Sequence, residues 1–85
     1  MPTELVDRLQ NIAPKQNVVF IAMARLKSVE EIEEFYIQYS KKLGSKAAAR
    51  QDIDACLGYC HEKYSKTWRR ALKVIDAYPR RSKQV

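Results

Sequence analysis

Two cysteines, a histidine and a glutamate lie between positions 56 and 62, where they could serve metal or covalent chemistry. Cys56 and Cys60 are one helical turn apart, so one side of a helix presents both thiols, whereas His61 is rotated away by about 100°. Zinc requires three protein ligands in a catalytic site and four in a structural one. One chain falls short of that number, and two chains would each have to donate the pair. We therefore expect no metal, and we interpret both cysteines as small apolar packing residues.

Catalytic chemistry is not indicated by the other polar residues either. A nucleophile and its base must lie within hydrogen-bond reach, and the adjacent Cys60 and His61 point apart on a helix. The glutamates between positions 30 and 34 point around a helix instead of converging, which predicts a solvated acidic face. The sequence therefore predicts no enzyme, no cofactor and no small-molecule substrate.

Positive charge is concentrated in the second half of the chain. The net charge is +6, with a balance of −2 over residues 1–40 and +8 over residues 41–85. Such an asymmetry indicates an anionic partner, or an acidic half that docks on the basic half internally. The basic side chains expected to reach phosphates are Lys63, Lys66, Arg70, Lys73, Arg80 and Arg81. On a helix the first four of them share one face.

Two helices are expected before residue 28. Thr3 is a suitable N-cap for the first helix, which should end near residue 12 because Pro14 disfavours helix at the preceding residue. Pro14 fits the first position of a second helix, over about residues 15–27. The apolar run 18–24 contains residues that favour sheets, but no second strand pattern exists to pair with it. A buried helix is therefore the better interpretation.

The third helix has the clearest local signals. Ser28 and Glu31 form a capping box, in which the serine oxygen accepts from the Glu31 amide and the glutamate reaches back to the Ser28 amide. Gly44 is a suitable left-handed C-cap. The third helix is therefore expected to end at Leu43.

A continuous apolar stripe predicts one long fourth helix. From Ala49 to Tyr78, apolar residues recur at steps of three or four, without a proline. Ser45 is a suitable N-cap and Pro79 stops the pattern, which gives a helix roughly 50 Å long. A break at Ser65 is the alternative, since serine competes for backbone hydrogen bonds. The two preceding helices, about 20 Å each, would leave its C-terminal part uncovered.

The sequence thus predicts an all-α fold, a small antiparallel bundle of about four helices with one long C-terminal helix. Residues 1–78 form the domain, and residues 79–85 form a disordered basic tail. The chain has no signal-peptide pattern and no apolar run long enough for a bilayer, so a cytoplasmic protein with free thiols is expected.

The uncovered part of the long helix predicts a function in binding. The leading hypothesis is a non-enzymatic interaction protein (an assembly subunit, adaptor or inhibitor) that binds a protein partner or a second copy of itself, with a homodimer the simplest version. The alternative is a nucleic-acid-binding protein that contacts phosphates through the basic face of residues 63–83. No membrane partner is expected. The partner-binding residues of the leading hypothesis are Tyr64, Trp68, Arg69, Leu72, Ile75 and Tyr78.

Overall fold

The computed structural model describes residues 3–77, and this part of the chain is all-α. It contains no strand, which confirms the predicted fold class. Five helices replace the four that were expected. They are α1 (Glu4–Ile12), α2 (Val18–Arg25), α3 (Val29–Leu43), α4 (Lys46–Leu57) and α5 (Glu62–Ala77).

Local capping signals fix both ends of α3 and the start of α4. The Ser28 hydroxyl accepts from the Glu31 amide at 3.2 Å, and Gly44 ends α3 with a left-handed φ of 77°. The Ser45 hydroxyl accepts from the Ala48 amide at 3.1 Å and so caps α4. One half of the capping box differs from the prediction. The Glu31 carboxylate accepts from the amide of Lys27 rather than of Ser28, at 3.4 Å.

The N-terminus of α1 is capped by a residue from another helix. The Thr3 hydroxyl donates to the Asp7 carboxylate and makes no cap bond. Instead Gln38, which is buried on α3, accepts from the amides of Leu5 at 2.7 Å and Val6 at 3.3 Å. The first turn of α1 therefore depends on a tertiary contact that the sequence pattern did not indicate.

The apolar run 18–24 lies in a helix, as predicted, but α2 is shorter than expected. It begins at Val18, where the Asn17 side chain accepts from the Val19 amide at 2.8 Å. Pro14 therefore lies in the connection from α1 and not at the start of the helix. Val19 and Ala22 are completely buried. A helix with apolar residues on all sides is expected to be buried in this way.

The prediction of one long C-terminal helix is wrong. Helix α4 ends at Leu57, and α5 begins at Glu62 after a turn over residues 58–61. His61 caps α5, because its Nδ1 atom accepts from the Lys63 amide at 3.2 Å. The turn lets both α4 and α5 pack against α3, which buries two apolar faces that a straight rod would have left half exposed. Ser65, the alternative break, lies inside α5.

Trp68 is the centre of the core. Its side chain is completely buried, and its ring lies edge-on to that of Phe35, with centroids 5.8 Å apart. The indole Nε1 donates to the carbonyl of Leu26, just after α2, at 3.0 Å. One side chain of α5 therefore links α2, α3 and α5.

Candidate functional site

The inner face of α5 is part of the core of this chain. Trp68, Leu72 and Ile75 are exposed by only 0%, 2% and 7%. The expectation that they are uncovered apolar anchors is therefore wrong, because the turn at residues 58–61 brings α5 onto α2 and α3. Tyr64 is half-buried against this core. The predicted anchor Tyr78 lies outside the described residues.

The outer face of α5 carries the exposed charge. Lys63, Lys66, Arg70 and Lys73 are all solvent-exposed. Ten residues of helix place the first and last of them about 15 Å apart along the axis. Within residues 3–77, none of the four forms an ion pair. The predicted phosphate-contacting residues Arg80 and Arg81 lie beyond the described part of the chain.

Arg69, on α5, contacts the C-terminal end of α4. Its Nη2 atom donates to the carbonyl of Leu57, the last residue of α4, over 3.5 Å. The cation therefore lies near the C-terminal end of α4, where positive charge is favourable. The side chain is exposed, but this contact directs it toward α4.

Lys27 extends the charged surface from outside α5. Its Nζ lies 5.3 Å from the centroid of the Tyr64 ring, and the Nζ of Lys63 lies at the same distance from that ring. The hydrogen bond from Trp68 to Leu26 anchors the α2–α3 connection beside α5. We call the resulting surface the basic face; it consists of Lys27, Lys63, Lys66, Arg70 and Lys73. Sequence spacing gave no signal for Lys27, which lies 36 positions before Lys63.

Aromatic rings lie at the N-terminal end of the basic face. The His61 ring meets that of Tyr64 edge-on, with centroids 6.0 Å apart. Two positions earlier, Tyr59 is 83% exposed, and its ring has no aromatic or cationic partner among residues 3–77. The turn between α4 and α5 thus carries an exposed tyrosine four positions before Lys63.

The ion pairs that join helices use residues outside the basic face. The Nζ of Lys42 on α3 lies 2.6 Å from an Asp7 carboxylate oxygen on α1. Arg50 on α4 binds Asp76 on α5 through two nitrogens, at 2.9 and 3.0 Å, and lies 3.2 Å from Asp54. The Arg50 guanidinium therefore holds the pKa of the Asp76 carboxyl below its ordinary value.

Both cysteines are free thiols that pack at the end of α4. Cys56 is buried, and Cys60 is half-buried with its Sγ 3.1 Å from the Sδ of Met23. Burial raises the pKa of each thiol, which favours the protonated form near neutral pH. Within residues 3–77, no three His, Cys, Asp or Glu side chains cluster as metal ligands.

Comparisons with known proteins assign no family to the chain. No family model matches it, and no curated protein or solved structure does either.

None of the helices in residues 3–77 is both long and apolar enough to cross a membrane.

Proposed function

We propose that this chain is a non-catalytic binding protein, a small helical bundle whose basic face binds the phosphate backbone of nucleic acid. The observation that carries the proposal is the row of four exposed cations on α5, which form no ion pair with the described residues. Lys27, near the Tyr64 ring, is the fifth cation of the basic face. Cations that do not contribute to internal ion pairs keep their charge available for an external anion.

The composition of the outer face favours nucleic acid over a protein partner. Protein interfaces have an apolar, aromatic-rich centre from which lysine is depleted. The apolar residues that were expected to form such a centre are buried in the core; they are Trp68, Leu72 and Ile75. The large apolar side chain left exposed on α5 is Val74, at 41%. A homodimer through the inner face is therefore not part of the proposal.

The charge density of the basic face suits a polyphosphate. Duplex DNA carries one negative charge per about 1.7 Å of its axis, so a helix segment about 15 Å long faces several phosphates. Each phosphate contact on a duplex adds about −0.9 to the slope of log affinity against log salt. Five contacts would give a slope of about −4.5, and the affinity would fall roughly 500-fold between 50 and 200 mM salt.

The test is a fluorescence-anisotropy titration with labelled 20-nucleotide single strands and duplexes over this range of salt. We expect measurable binding at 50 mM salt that collapses at 200 mM. The double variant Lys66→Gln/Arg70→Gln should flatten the slope by about 2, because it removes two contacts. Its free energy of unfolding should change by no more than about 0.5 kcal/mol, because both side chains are exposed.

The matched control is Arg8→Gln/Lys15→Gln, which also removes one arginine and one lysine. Both residues are exposed, and Arg8 lies on α1, which packs against α2 and α3. This variant should keep the wild-type slope. Absence of binding at 50 mM salt, or equal losses in the two double variants, would refute the proposal. Equally tight, equally salt-dependent binding to polyglutamate would instead indicate an acidic protein partner.

A further inference from the structure

Tyr59 is an aromatic side chain that the fold leaves in solvent. Its exposed fraction is 83%, whereas Tyr36 and Tyr64 are half-buried and Tyr39 is buried. A ring that exposed contributes almost nothing to the hydrophobic stability of the core. The fold therefore leaves this ring available to an external apolar or aromatic group.

The turn holds Tyr59 in a defined position. The amide of Tyr59 donates to the carbonyl of Cys56 at 3.0 Å, and the amide of Cys60 donates to the same carbonyl at 2.9 Å. The Cys60 side chain packs inward against Met23. The backbone that carries the Tyr59 ring is thus ordered before any ligand binds, which lowers the entropic cost of binding there.

Tyr59 also lies close in the chain to the first α5 cation of the basic face. Tyr59 precedes Lys63 by four positions, so their Cα atoms lie no more than about 14 Å apart. Lys63 and Lys27 both approach the ring of Tyr64, so that ring is already occupied by ammonium groups. The Tyr59 ring, by contrast, is exposed and has no cation over it among residues 3–77.

An exposed aromatic ring beside a basic groove or face is the arrangement that binds single-stranded nucleic acid. Successive bases stack on aromatic side chains while cations follow the backbone, and the stacking is tolerant of sequence. In a duplex the base faces are already stacked on one another, so only an unpaired base can offer its face to a tyrosine.

We infer that the partner of the basic face is single-stranded nucleic acid, with one unpaired base stacked on Tyr59. This inference rests on the function proposed above and adds a second recognition element to it. Phosphate contacts supply binding that either form of nucleic acid would share. Tyr59 supplies the preference for a single strand.

The experiment compares wild type, Tyr59→Ala and Tyr59→Trp on three labelled 20-nucleotide probes: a single strand, a duplex and an abasic single strand. For the ordinary single strand, Tyr59→Ala should bind about 5- to 150-fold more weakly, which is the loss expected when one base no longer stacks on an aromatic ring. Its affinity for the duplex and for the abasic strand should change less than twofold, because neither presents a free base. Tyr59→Trp should retain or strengthen single-strand binding.

Tyr59→Trp adds a direct signature of stacking. The native Trp68 is completely buried, so an exposed tryptophan at position 59 would dominate any change in emission when a ligand binds. The ordinary single strand should quench this emission, and the abasic strand should not.

The outcomes separate this inference from the proposed function. Salt-dependent binding of wild type with no effect of Tyr59→Ala on the single strand would overturn the stacking role and leave phosphate binding standing. A wild-type preference for the duplex would have the same consequence. Absence of binding to every probe would refute both.

Discussion

The inner and outer faces of α5 both repeat at steps of three and four residues, but the inner face is buried and the outer face is exposed to solvent. The inner face, which includes Trp68 and Leu72, is buried in the core of the chain. The outer face, with Lys66 and Arg70, is exposed and forms no ion pair within residues 3–77. An apolar period therefore identifies a face that will be buried, but it does not identify which part of the structure buries it. The charged period corresponds to the face that stays in solvent.

The comparison depends on where the chain turns back. If α4 and α5 formed one rod, part of the apolar stripe would face solvent and would need a partner to cover it. The turn at residues 58–61 removes that need, because it places Trp68 against Phe35 and beneath Leu26. The apolar residues of the inner face of α5 are then buried, whereas the cations of its outer face stay in solvent.

The largest effect is expected from Trp68→Ala on the inner face. Loss of the buried ring should lower the free energy of unfolding by about 3–5 kcal/mol, a large part of the roughly 4–13 kcal/mol expected for a chain of this length. Urea unfolding followed by circular dichroism measures the change. The control Val74→Ala, at a position 41% exposed, should cost much less. Wild-type stability of Trp68→Ala would contradict its place in the core.

A smaller change of opposite sign is expected at the turn. Gly58 has a φ of −78°, which any residue adopts, and an added Cβ would lie 3.5 Å from the Ala55 carbonyl, an ordinary contact. Gly58→Ala should therefore raise the free energy of unfolding by about 0.4–1 kcal/mol, because it restricts the unfolded chain. Thermal unfolding tests this, with Gly44→Ala as the contrasting variant, since Gly44 needs its φ of 77°. A marked loss in Gly58→Ala would mean that the turn itself requires glycine.

The smallest effect is expected at the edge between the two faces, where Asp76 binds Arg50. Asp76→Asn should cost about 0.2–1 kcal/mol, because its carboxylate is 53% exposed and solvent screens the pair. The ion pair lowers the pKa of Asp76 from 3.8. Its contribution should therefore be complete above about pH 4 and be lost as pH falls through the lowered pKa.

Urea unfolding of wild type and Asp76→Asn between pH 2 and pH 6 measures this pH dependence. The free energies of unfolding of the two proteins should differ at pH 6 and become equal as the pH approaches 2. Asp54→Asn is the comparison variant, because Asp54 makes one contact with Arg50 where Asp76 makes two. A difference that grows as the pH falls would show that the pair does not stabilise the fold.

Local signals predicted the helix ends that depend on neighbouring residues. Ser28, Gly44 and Ser45 act within one turn of their own helices, and the structure has all three as expected. The cap that Gln38 provides for α1 joins residues 32 and 33 positions apart, so no local pattern could indicate it. For the same reason sequence spacing found four cations of the basic face and missed Lys27.

The sequence alone determined that the chain is helical, which residues share a helical face, and that the basic charge lies in its second half. Those properties follow from side-chain periodicity and capping, which act over a few residues. Only the tertiary structure decided that the chain turns between Leu57 and Glu62, that Trp68 is covered, and that Tyr59 is not. These outcomes depend on how much apolar surface α4 and α5 can bury together against α3, a quantity summed over residues far apart in the chain.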